Sequence, residues 1–480
     1  MGKGRRNNVD SINKLFQMKF IKDSIYFKVV FCIWQLVHLI AMAQPYTGVV
    51  APIIIIWGML ILIKNVIIDK NLIDKRVRYL LYAFLLSYVV TIIINIKLNL
   101  IGNLKTLVWY SILIFVIFIT DKQKEVEDVK KDIDTIAKVV TKTTFVMSLV
   151  SLLMFVFRMC FWVYRVDGAK IPQGYFAARL WGIFIDPNQG CVVALISIIL
   201  SIIIIKRKAM KKFFPITNII IQYCFLILTG SRGGEIAFFF SGICLVYILF
   251  NKNNYYKFIK INPIRVIALV LTGIVLSCTV ILTFRQTRKI LTVIPKTLYK
   301  IEASISGVIS EEEYEDSEDE GFDINIDRAD VGGENFSNGR IQLWLDGVKL
   351  SKYSPVFGFG DRNIRAKAGE LTPGSTLEKQ FVHNGFIHML LAGGWLAFLL
   401  MMAIIIIILS KSFRIFFAKK EYNEDICIFD LMGILIGILL VTTMFLTEVF
   451  YMNSFAAVMF WLFMGNIVYF QNNCKSIKSI

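Results

Sequence analysis

Charge is scarce in this chain. Only 18% of its 480 residues are Asp, Glu, Lys or Arg, against about 25% in a soluble domain, and that deficit excludes an ordinary soluble globular class. Metal-binding patterns are missing as well. The eight cysteines make no CxxC pair and none falls within 285–384, so neither a disulfide framework nor a zinc site is expected. Histidine occurs three times, at His38, His383 and His388. No DxD-like pair or His/Cys/carboxylate cluster occurs in the segments read below as outer loops, which makes metal-free chemistry, with no cofactor, the simpler expectation. An internal repeat of the kind many transporters carry is also lacking.

What is present is apolar. Hydrophobic residues supply 56% of the chain and the mean hydropathy is +0.64. Crossing a bilayer as a helix takes roughly 20 apolar residues, and twelve runs read as spans: 26–43, 48–68, 79–96, 104–120, 139–162, 189–205, 214–229, 234–250, 264–284, 385–409, 427–446 and 453–470. Backbone in lipid must satisfy its hydrogen bonds within the segment, so the spans are helices. The expected class is an all-α integral membrane protein of about twelve transmembrane helices. The first run ends Ala41-Met42-Ala43, similar to a signal-peptidase site, but exceeds the about 7–15 apolar residues of a signal peptide and reads as a retained anchor.

The net charge of +18 would point to nucleic acid in a soluble chain. In a membrane protein it reports topology, because cytoplasmic loops collect Lys and Arg. Thirty-three of the 53 basic residues lie in every second connection and in the two tails, which puts both termini in the cytoplasm. Two outer connections are substantial, 163–188 and 285–384. The implied organisation is a nine-helix membrane region (1–284), a large extracytoplasmic loop (285–384) and a three-helix membrane region (385–480). Within the loop, residues 302–334 hold thirteen acids against one base, Arg328, a composition typical of a solvated spacer.

Beyond Asn338 the pattern changes. Ile341, Leu345 and Val348 recur at helical spacing, with Asn338 as N-cap and Pro355 past the end. They predict a short amphipathic helix on the outer membrane face. The glycines of Phe357-Gly358-Phe359-Gly360 imply a tight turn or a close backbone approach.

Four residues stand out chemically. His383 sits at the outer mouth of a span, with Asn384 placed to cap the next helix, and an imidazole suits removal of a proton from a hydroxyl near neutral pH. Arg232 lies in Thr229-Gly230-Ser231-Arg232-Gly233-Gly234, a short outer link where a guanidinium can grip phosphate oxygens bidentately. Arg340 and Arg179 invite the same reading. Each has a plainer alternative, a snorkelling arginine or an interfacial histidine. Arg285, Arg288, Arg362 and Arg365 read as added positive potential, and His38 and His388 as packing residues. Guanidiniums beside one imidazole suit a phosphorylated lipid substrate whose diphosphate leaves without a general acid.

Ser231-Arg232-Gly233, Gly339-Arg340 through Trp344 followed by Pro355-x-x-Gly358-x-Gly360, and His383-Asn384-Gly385-Phe386 with Gly393-Gly394 together resemble the bacterial O-antigen ligase and O-antigen polymerase superfamily. Arg179–Asn188 is similar to that family's earlier outer segment. The resemblance implies a twelve-helix, metal-independent, inverting glycosyltransferase in the bacterial cytoplasmic membrane, acting at its outer face. Its substrates would be an undecaprenyl-diphosphate-linked glycan and a glycan or lipid acceptor, within membrane lipid, with flippase and chain-length regulator proteins as potential partners and no nucleic acid. Carried over, Arg232, Arg340 and, less directly, Arg179 would hold the diphosphate and His383 would activate the acceptor. The acidic insert 302–334 departs from the family pattern. Capsule or exopolysaccharide polymerisation is favoured over ligation on base rates, and a transporter without transferase activity is the alternative from another class.

Overall fold

A computed structural model describes residues 16–71, 73–165, 168–252, 263–306, 339–417 and 423–478. Each of the twelve expected apolar segments coincides with a helix. In chain order these are α1 (Ile25–His38), α2 (Gln44–Ile63, continued by a π turn Lys64–Ile68), α3 (Lys75–Ile94), α4 (Leu100–Ile112, continued by a π turn Leu113–Ile117) and α5 (Val126–Val156). Then come α6 (Pro187–Arg207), α7 (Phe213–Thr229), α8 (Arg232–Lys252) and α9 (Pro263–Ser306). Two short helices follow, α10 (Arg340–Ser351) and α11 (Ile364–Leu371), before α12 (Gly385–Phe417), α13 (Glu424–Thr443) and α14 (Phe455–Asn473). The described residues contain eight helices long and apolar enough to cross a membrane. The protein is an all-α membrane protein.

The chain forms two compact units: one of Met1–Gln35, Gly48–Ile136 and Gly339–Ile480, the other of Leu36–Thr47 and Ala137–Asn338. In the first, α14 is central. Its apolar window is 94% buried, against 22% for α2, whose Val49, Ile53 and Ile56 point outward at one helical face as lipid-facing residues do. Gly465 lets α14 meet the backbone of Phe118, since a Cβ there would fall 1.8 Å from that carbonyl oxygen. Tyr451 stacks on Tyr88 at 4.6 Å and lies 5.2 Å from Tyr110, closing the buried aromatic centre.

Three local expectations are corrected. The fifth helix stops at Val156 rather than 162, and the outer segment after it is folded: β1 (Cys160–Tyr164), β2 (Lys170–Phe176) and β3 (Arg179–Gly182) make an antiparallel sheet. The apolar run 139–162 therefore fused the end of a helix with an aromatic strand. The ninth helix does not end at 284 but continues to Ser306, so the outer segment begins as helix. The N-cap position of α10 is Gly339, with φ +72° and no side-chain cap; Asn338, like the acidic stretch from 307 on, lies outside the described residues. The helix itself forms as expected, with Ile341, Leu345 and Val348 exposed on one side and Leu343, Asp346, Gly347 and Leu350 buried on the other.

Candidate functional site

In the second unit the site residues gather at the start of α6 and the α7–α8 link. Asp186 caps α6, its Oδ1 accepting from Asn188 N at 2.7 Å, and Pro187 occupies the first turn, where a missing N–H costs nothing. Gly230 ends α7 in the left-handed region (φ +58°). Ser231 Oγ accepts from Gly234 N at 3.3 Å and so caps α8, while Gly234 lets α8 press on α6: a Cβ there would lie 2.0 Å from Cys191 Sγ. The Gly-Ser-Arg-Gly-Gly sequence is thus a compact stop and restart that presents Arg232 in the first helical turn. A cation there opposes the helix dipole unless an anion is also bound.

Arg179, the first residue of β3, reaches this same point. Its Nε donates to the Thr229 carbonyl at 2.9 Å and its Nη2 to Asn188 Oδ1 at 2.7 Å. Arg288, read from the sequence as added positive potential, is packed at this same point. It donates through Nη2 to the Ala178 carbonyl and at 3.4 Å to the Tyr175 hydroxyl, and its buried Nε has no partner among the described residues. The Arg288 guanidinium lies 3.5 Å, and Arg179 Cγ 3.7 Å, from where a Gly230 Cβ would stand. Arg179 and Arg288 therefore converge at Gly230, two residues before Arg232 and beside two helix starts, with Asp186 and Glu235 as nearby acids. The β2–β3 turn that delivers Arg179 is strained: Ala177 and Ala178 both have positive φ, +48° and +54°, where alanine costs about 1–2 kcal/mol per residue.

The first unit holds Arg340 and His383. Asn384 caps α12 as expected, its Oδ1 accepting from Phe386 N and Ile387 N at 3.0 and 3.1 Å. His383, just before the cap, is half-buried with φ +47°, an uncommon conformation for a histidine and one often found where a side chain must be aimed. Arg340 opens α10, which packs on α12 through Gly347, whose Cβ would stand 2.7 Å from Ile387 and 3.2 Å from Val382. Asp346 pins α10 to the segment after α11, accepting from Thr376 N and Oγ1 at 3.0 and 2.8 Å. On the same helix Trp344 Nε1 is a buried donor with no partner among the described residues.

The glycine motifs turn out to be two halves of one structure. At Gly394 (φ +70°, ψ −174°) α12 breaks, and the chain from Pro355 to Gly360 fills the break. Phe359 N and Gly360 N donate to the carbonyls of Leu391 and Ala392 at 2.8 and 2.9 Å, while Trp395 N and Leu396 N donate to Pro355 and Val356 at 2.7 and 3.2 Å. Irregular backbone is tolerated in a membrane helix only when such partners re-satisfy it. Neither Gly358 nor Gly394 can carry a Cβ, which would stand 2.6 Å from Leu391 O and 2.2 Å from Val356 O respectively.

His388 proves to be more than packing. It is 2% exposed, and its Nε2 is 3.0 Å from Asp361 Oδ1. Asp361 Oδ2 accepts from Thr106 Oγ1 at 3.0 Å and pairs with Arg362 Nε at 2.9 Å, and Asp361 N donates to the Tyr88 hydroxyl at 3.2 Å. Burial alone would raise the Asp361 pKa, but the hydrogen bond and charge of His388, then Arg362 and Thr106, outweigh it and hold the carboxyl below its ordinary 3.8. Arg365 bonds the Glu378 and Lys379 carbonyls, so it and Arg362 both have local partners within the protein.

Residues 217–402 match the family model Wzy_C, described as O-antigen ligase. No curated protein matches the chain significantly.

Proposed function

The chain belongs to the O-antigen ligase and polymerase superfamily of membrane enzymes, and on that premise we propose that it is a metal-independent, inverting glycosyltransferase at the outer face of the bacterial cytoplasmic membrane, using undecaprenyl-diphosphate-linked glycan as donor. Polymerisation of repeat units is the favoured reaction; ligation to a lipid or protein acceptor is the alternative. What supports the reading is the convergence of Arg179 and Arg288 at Gly230, two residues before Arg232, a concentration of guanidinium suited to a diphosphate. For Arg340 a diphosphate-binding role rests on the family resemblance alone.

In this mechanism the acceptor hydroxyl attacks the anomeric carbon opposite the diphosphate. The C–O bond to the diphosphate breaks with its electron pair leaving on oxygen, and His383 takes the hydroxyl proton. The arginines stabilise charge where it develops, so no proton need be supplied to the leaving group. The deciding experiment incubates the purified full-length protein with lipid-linked oligosaccharide, with and without chelator. Lengthening on the lipid supports polymerisation, appearance on another acceptor supports ligation, and no transfer under either condition overturns the proposal.

A further inference from the structure

The sheet that delivers Arg179 has one aromatic side left open. Trp162 and Tyr164 lie two residues apart on β1, hence on one face and about 7 Å apart, and are 43% and 63% exposed. Register puts Trp162 opposite Pro172 and Tyr164 opposite Lys170. Phe176 belongs to the same face, its ring 5.0 Å from that of Trp162, and stands directly opposite Arg179. Lys170 Nζ sits 5.5 Å from the Tyr164 ring centroid. From Arg179 the face therefore runs through Phe176 and Trp162 to Tyr164 and Lys170, about 20 Å at strand spacing. On the other face Ile171, Gln173 and Tyr175 are buried, while Phe161 on the edge strand is 37% exposed.

We propose that this face is a binding platform for the glycan of the donor, stacking successive sugar rings on Trp162 and Tyr164 while its diphosphate is held at Arg179. The inference rests on the transferase reading. It commits to a sugar chain because the face is continuous with the arginine cluster and mixes flat aromatic surface with a cation. A pyranose has an apolar C–H face that packs against the electron-rich face of an aromatic ring, while its hydroxyls stay in water. Phe157 and Met159, 64% and 49% exposed, lie just before β1; Trp and Tyr also suit a bilayer interface, and the lipid-quenching measurement below separates the two occupants.

The test uses full-length protein in phosphatidylcholine nanodiscs. With Trp162→Ala and Tyr164→Ala combined, KM should rise about tenfold for a donor carrying complete repeat units, and less than twofold for one carrying a single sugar. Loss of two ring contacts at about 0.5–1.5 kcal/mol each is of that order. Phe157→Ala is the control and should leave the long donor's KM as it is. Equal effects on the two donors, or none, overturn the platform. A second arm needs no transfer: the Trp162 emission, taken as the difference from Trp162→Phe, should respond to the reducing oligosaccharide released by mild acid from the host's lipid extract. Quenching by brominated phosphatidylcholine instead would mean that the face lies in lipid, and would overturn the proposal. Oligosaccharide binding without turnover of either donor would sink the transferase reading and leave the platform standing.

Discussion

At the residue scale the roles of His383 and His388 separate. Asparagine tolerates a left-handed backbone, so His383→Asn removes the imidazole without adding strain at φ +47°. We expect that variant to insert and melt as the parent does while transfer falls at least about 100-fold, the usual weight of general-base catalysis; retained turnover would remove His383 from the mechanism. His388 and Asp361 act through structure. Asp361→Ala leaves His388 and Thr106 without their acceptor inside a buried network, a loss of about 3 kcal/mol, readable as a lower Tm in detergent. The pH dependence follows from the sign of the shift. Because folding depresses the Asp361 pKa below 3.8, its stabilisation is fully present above the ordinary carboxylate range and fades as pH falls through the lower folded value. The Tm difference between the parent and Asp361→Asn should therefore be present near pH 5 and shrink in stronger acid. None of this pair was legible in the sequence: 27 residues separate the two, and only the docking of 355–360 on α12 brings them together.

At the element scale, the seam between 355–360 and α12 decides whether the outer segment is held. Gly394→Ala brings a Cβ to 2.2 Å from Val356 O at positive φ, which should release the segment and abolish transfer. Gly433 has nothing within 4 Å of its Cβ position, so Gly433→Ala is the matched control and should be neutral or slightly stabilising. Limited proteolysis between 352 and 380 would separate the two. The glycines themselves were readable as a turn or close approach, because no other residue takes such backbone cheaply; which backbone they approached was not. The sheet was hidden for a different reason. Cys160, Phe161, Trp162 and Val163 continue the apolar run of α5, and strand and helix look alike in a short apolar run that lacks periodicity.

At the scale of the whole molecule, the apolar runs gave most of the architecture, since each crossing segment must be a helix in lipid whatever its neighbours do. The topology read from basic residues remains a proposal: reporter fusions at the two termini should both be active only on the cytoplasmic side, and opposite sides would overturn it. The contacts of Arg288 with Tyr175 and Ala178 were not legible because its position depends on α9 running on past the expected end of the span. That continuity has its own consequence. A helix turns about 100° per residue, so one amino acid gained or lost between the apolar part of α9 and Arg288 would swing the guanidinium away from the Ala178 carbonyl. Descendants of this sequence are thus locked in phase before Arg288, much as a key must keep its cuts at fixed intervals along the shank.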